Sequence, residues 1–179
     1  YQYTRRAPKT ISPRPSVVVR LCSIEGNFRQ PLSAPANRAF GDDLRAWSRK
    51  SKRLYIWDYT TNFAHYLLPH PNWFQLGENV RFFHQNGVRG LFEQGAYQSH
   101  GAEMAELRAW VLAQLLWDPY QDDRKLIDAF CDGYYGPAAG RIVRRYLDRM
   151  HARSEGVNLT CFSGPNQPFL DFDALVEAD

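Results

Sequence analysis

The sequence predicts an α/β fold on a parallel sheet, and three observations carry that expectation. Three short apolar runs finish on polar clusters containing a carboxylate: Val17-Val18-Val19-Arg20-Leu21-Cys22-Ser23-Ile24-Glu25, Leu54-Tyr55-Ile56-Trp57-Asp58 and Gly90-Leu91-Phe92-Glu93. They recur about every 35 residues, and a helix-patterned stretch follows each, which is the rhythm of consecutive strand-helix units. Parallel α/β sheets build their sites at the carboxyl ends of the strands, so Glu25, Asp58 and Glu93 are expected on one rim.

The first residues are a β-favouring pair, Tyr1 and Tyr3, followed by Pro8, Pro13 and Pro15. This pattern reads as the tail of an earlier strand entering a proline-stiffened loop, and so as a piece of a longer protein. After the first full strand, residues 27–37 carry Pro31 and Pro35 among small polar residues and read as a loop. A helix is predicted over 38–51, its stripe of Phe40, Leu44 and Trp47 at i, i+4, i+7 spacing docking it on the sheet. The second strand, 54–58, leads into a long aromatic and proline-marked connection, Tyr59-Thr60-Thr61-Asn62-Phe63 and then Leu68-Pro69-His70-Pro71-Asn72-Trp73. Loops of that length inside compact domains are usually functional. A helix over 76–86 turns Val80 and Phe83 inward and stops at Gly87, where a left-handed cap fits. The third strand, 88–93, runs through Gln94-Gly95-Ala96-Tyr97 into another polar loop.

From Glu103 onward the alternation ends and the chain becomes helical. Met104, Leu107, Val111, Leu112, Leu115 and Leu116 form a broad apolar face, broken by Trp117-Asp118-Pro119. Two more helices are predicted over 122–134 and 138–153, separated by Gly133, Gly136 and Pro137. The organisation is therefore strand-helix units over 1–100, a helical extension over 101–155 and an irregular tail over 156–179.

Composition limits the function classes. The 179 residues are 44% hydrophobic and 15% aromatic, enough for a genuine core. The 22 basic and 19 acidic side chains are mixed along the chain, so no basic face for nucleic acid stands out. Cys22, Cys131 and Cys161 lie far apart without ligand spacing and read as small buried hydrophobes. No apolar segment reaches the roughly 18–20 residues that span a bilayer. The five histidines show no HExxH-like pair, so no protein-bound metal is expected. Gly133-Tyr134-Tyr135-Gly136-Pro137 follows a helix rather than a strand and lacks a GK[ST] ending; it reads as a helix stop and restart, and no cofactor is expected.

Two carboxylates in one cleft are what glycosidic cleavage generally requires, and Asp58, Glu93 and Glu25 are the catalytic candidates. Each could equally be an arginine's partner or a helix-capping acceptor. Around them stand Tyr59, Phe63, Trp73 and Tyr97, rings on which the C–H faces of a sugar can stack, while Asn62, His70 and Gln94 can bond its hydroxyls. Trp57 and Phe92 alternate to the face opposite Asp58 and Glu93 and are expected in the core.

The runs Trp57-Asp58-Tyr59, Leu68-Pro69-His70-Pro71-Asn72, Asn86-Gly87-Val88-Arg89-Gly90-Leu91-Phe92-Glu93-Gln94-Gly95, Glu106-Leu107-Arg108-Ala109-Trp110, Leu115-Leu116-Trp117-Asp118-Pro119 and Gly133-Tyr134-Tyr135-Gly136-Pro137-Ala138-Ala139 closely resemble a bacterial family, domain of unknown function 4838. That family is similar to the α-glucuronidase and β-hexosaminidase glycoside hydrolases. The resemblance implies the C-terminal part of a TIM-type (β/α)8 barrel, three or four parallel strands with their helices, followed by a helical region. It also implies a carbohydrate substrate, an extracytoplasmic location and a remainder of the barrel upstream. In the α-glucuronidase relatives an Asp and a Glu from later strands position the hydrolytic water, roles that fall by position on Asp58 and Glu93. The general acid would then precede Tyr1. A glycan-binding or scaffolding module on the same fold, without turnover, is the alternative.

Overall fold

The computed structural model describes residues 5–171 together with 173 and 176, and the expected strand tail at Tyr1 and Tyr3 lies outside them. Strands β1 (Val19–Cys22), β2 (Leu54–Tyr59) and β3 (Val88–Gln94) form one parallel sheet in the order β1-β2-β3. β1 is shorter than the apolar run that announced it. Val19 already pairs with Leu54, the first residue of β2, so Val17 and Val18 have no strand beside them and stay exposed.

Helices α1 (Arg38–Lys50) and α2 (Leu76–Gln85) cover one face of this sheet. The predicted stripe of Phe40, Leu44 and Trp47 meets Leu21, Leu54, Ile56 and Val88, with Phe82 and Phe83 from α2. Leu44, Leu54 and Phe83 are fully buried, each contributing about 1.5–3 kcal/mol. α2 ends as expected at Gly87, whose φ of 74° is the left-handed cap that a side chain would strain.

Helices α3 (Ala105–Trp117), α4 (Asp123–Tyr135) and α5 (Pro137–Arg153) build a second core. Leu107, Val111, Leu112 and Leu115 of α3 meet Ile127 and Phe130 of α4, Leu147 and Met150 of α5, Leu76 and Val80 of α2, and Trp73 just before it. α2 is thus apolar on two sides and couples the sheet to the helical extension. α4 stops at Tyr135 and α5 restarts at Pro137, as the glycine-proline junction predicted.

The opposite face of the sheet carries Arg20, Tyr55, Trp57 and Phe92. The Arg20 guanidinium lies 5.0 Å from the Trp57 ring and the Phe92 ring 5.2 Å from it. Phe92 is 50% exposed, which corrects its expected place in the core, whereas Trp57 is half-buried and packs on the edge of the second core. The fold is α/β with an open three-stranded sheet whose edges are β1 and β3.

Candidate functional site

Register decides which carboxylates meet. Asp58 stands opposite Glu93, and Cys22 opposite Trp57, which sets the next residue, Ser23, beside Asp58. The Ser23 amide extends the ladder by donating to the Trp57 carbonyl at 3.2 Å. Ser23, Asp58 and Glu93 therefore form a row across the carboxyl end of the sheet, on strands roughly 4.8 Å apart. Alternation along β2 and β3 places both acids on the side of Ile56 and Leu91, which the helices cover, and not on the aromatic face.

Asp58 is 3% exposed and accepts a hydrogen bond from the Ser23 hydroxyl. Burial pushes its pKa up to about 6, against the lowering effect of the Ser23 bond and of a backbone bond from Tyr59. Glu93 is raised well above the usual carboxylate range, first by burial and then by the charge of Asp58. Its Oε1 is buried without a hydrogen-bond partner. Like groups side by side in a dry place disfavour ionising both, so the two carboxyls are raised together.

Glu93 also reaches a cavity of about 100 Å³, with Thr60, Thr61, Ala105, Arg108 and Leu112 among its walls. Arg108 is itself 3% exposed and saturated with acceptors. Its Nε donates to Asn72 Oδ1 at 2.8 Å, and its Nη2 to the His70 carbonyl at 2.6 Å and to Glu103 Oε2 at 2.8 Å. Asn72 Nδ2 in turn donates to the Thr60 carbonyl at 3.2 Å. Arg108 thereby fastens the loop after β2 onto α3.

The other expected site residues divide by exposure. Tyr59 is buried, its ring 6.3 Å from Trp57 and 5.8 Å from Phe63. Asn62 is buried and accepts from the amides of Ala64 and His65 at 3.0 and 3.3 Å, an Asx turn that fixes the loop. Trp73 is wholly inside the second core. His70 is 1% exposed, with neither ring nitrogen hydrogen-bonded, and its pKa is well below the ordinary value through burial and then the Arg108 charge. Gln94 Oε1 accepts from Trp57 Nε1 at 2.6 Å. Tyr97 is 68% exposed, 6.1 Å from the Phe63 ring. The Glu25 side chain is 56% exposed and paired with Arg5, which also bridges to Asp43 at 3.0 Å. The structure joins Asp58 to Glu93 and leaves Glu25 apart from them.

Ser23, Arg108 and Glu103 were not singled out from the sequence. Arg108 had a signal, because a lone cation beside Leu107 in the stripe Val111, Leu112 and Leu115 must find a buried partner. Among the described residues no cluster of three His, Cys, Asp or Glu side chains could hold a metal ion, and no helix is long and apolar enough to cross a membrane.

These features define a parallel α/β protein with a helical extension and a buried carboxyl pair at its strand ends. The chain belongs to the family described as a domain of unknown function, DUF4838, whose model matches residues 1–148. No curated protein and no solved structure matches it.

Proposed function

We propose that the chain supplies the C-terminal strand-helix units of a TIM-type barrel that hydrolyses glycosidic bonds in a polysaccharide or oligosaccharide, with Asp58 and Glu93 handling the hydrolytic water. The observation that carries this reading is the pair of buried carboxyls opposite each other on neighbouring parallel strands, both raised in pKa, which suits general acid-base work near neutrality. The sequential parallel strand order and the open edges are what a larger sheet offers the strands beside it. In this reading the general acid lies on an earlier strand. Tyr97 offers a ring to the sugar, Gln94 and Tyr59 line the approach, and Asn62, His70 and Trp73 hold the loop that carries it. Glu25 assists only if it gives up Arg5.

A second reading, a glycan-binding or scaffolding module without turnover, is favoured by the near-complete burial of Asp58. The two are separated in the full-length protein by changing Asp58→Asn and Glu93→Gln one at a time and measuring release of reducing ends from a panel of plant and bacterial polysaccharides. Each change is expected to lower the rate more than tenfold, a loss above about 1.4 kcal/mol of transition-state stabilisation. Rates within tenfold of the parent overturn the catalytic assignment, and retention of a polysaccharide without release of reducing ends supports the module.

A further inference from the structure

Residues 157–163 lie beyond the family-matched span and carry neither helix nor strand, yet they are tied across the loops after β1 and β2. The Phe28 amide donates to the Leu159 carbonyl and the Phe63 amide to the Cys161 carbonyl, both at 2.7 Å. The Leu159 amide donates to Asn27 Oδ1 at 3.1 Å, and Asn62 Nδ2 donates to the Ser163 carbonyl at 2.8 Å. Leu159 and Cys161 are buried beneath the segment, while Phe162 faces outward, 6.0 Å from the Phe63 ring. Cys161 lies near enough to Asp58 for that charge to act on its thiol, which burial first and foremost pushes up to about 11. The segment therefore crosses the end of the sheet where the carboxyl pair sits.

The ends of the segment are built to turn. Gly156, at φ 76°, has open space where a Cβ would be, and Gly164-Pro165 follows Ser163. Five hydrogen bonds, counting Cys161 Sγ to the Ile24 carbonyl at 3.6 Å, and two side chains inserted at the edge of the second core are a small set compared with the rest of that core, so release needs no loss of the sheet or of helices α1–α5. We propose that residues 157–163 are a strap that closes the strand-end mouth beside Asp58 and lifts, hinged at Gly156 and Gly164, to admit ligands to it. It adds a gate to the site proposed above, and its test needs no turnover, so the two readings fail separately.

The test labels carboxyls in the full chain with a water-soluble carbodiimide and glycine methyl ester, locating the adducts by peptide mass spectrometry beside amide exchange. Leu159→Asp expels the strap and is expected to speed labelling of Asp58 at least tenfold. Gly156→Ala touches no neighbour but strains the positive φ, and is expected to speed it several-fold. In both, amides of β2 such as Ile56 keep their protection. Labelling as slow as in the parent overturns the strap, as does labelling that rises only when β2 protection falls, for then the segment belongs to the global fold. If Leu159→Asp does not fold, Gly156→Ala decides by the same readout.

Discussion

Two charged clusters lie equally deep in this molecule and are treated in opposite ways. Around Arg108 the guanidinium meets Glu103, Asn72 and the His70 carbonyl, so nearly every donor has an acceptor. At the sheet's end Asp58 has the Ser23 hydroxyl and the Tyr59 backbone but no cation, and one Glu93 oxygen has no partner at all. A compensated buried charge fixes a loop and then has little chemistry left to do. An uncompensated pair destabilises the fold where it sits and stays available for proton transfer, which is why the second cluster is read as the working one.

The largest effect is expected from breaking the compensated cluster. Arg108→Met would strand Glu103 without a cation and leave Asn72 Oδ1 and the His70 carbonyl without their donor, at a cost of about 3–5 kcal/mol in urea unfolding. Arg108→Met combined with Glu103→Leu would recover the part of that loss due to the unpaired charge and leave the cost of the two orphaned acceptors. A double variant as unstable as the single one would mean that the loop is held by packing instead.

The uncompensated pair is expected to show itself in the pH dependence. Burial raises the Asp58 pKa to about 6 in the folded state, above an unfolded value of about 3.9, so the native chain holds the extra proton between these limits. Its stabilising contribution is complete below about pH 4 and is lost as pH rises through 6, a change on the order of 3 kcal/mol. Glu93 shifts in the same direction. His70 and His151, the latter pushed down to about 4 by burial and by Arg29 and Arg124, tilt the curve the other way, since they must gain a proton as the pH falls below about 6.5. Comparing Asp58→Asn with the parent from pH 4 to 8 cancels the histidine contribution. The variant's stability is expected to hold better above pH 6, and identical slopes would remove the case for a strained pair.

The same contrast shows what a sequence can and cannot reveal. The stripe Phe40, Leu44 and Trp47 marked α1 to within a residue of its observed end, and the 35-residue rhythm produced three parallel strands in sequence order. Alternation separated the two faces correctly, but the reading put the core on the face of Trp57 and Phe92, whereas the helices cover the face of Leu54, Ile56 and Asp58. Local pattern could not show that Asn62, His70 and Trp73 would be sealed by residues 35 or more positions away. Arg108 and the 157–163 segment reach them only through the folded chain. Phe92 misled for a related reason, because its apolar side chain announces a burial that the described residues do not supply.

Glu25 gives the smallest expected effect and sharpens the contrast most. It closes the first apolar run as Asp58 and Glu93 close theirs, so by sequence the three acids are equivalent. Its side chain, however, is mostly solvated and bound to an arginine that already serves Asp43. Exposed ion pairs of this kind contribute between about 0 and 1 kcal/mol, because water screens the attraction and two long side chains lose freedom in forming it. Glu25→Gln is therefore expected to shift urea unfolding by less than about 1 kcal/mol, and to do so less as salt is raised. The pH dependence assigned to Asp58 should be the same in this variant. A change in that dependence would bring Glu25 into electrical contact with the pair, and the separation between satisfied surface charge and strained interior charge would no longer hold.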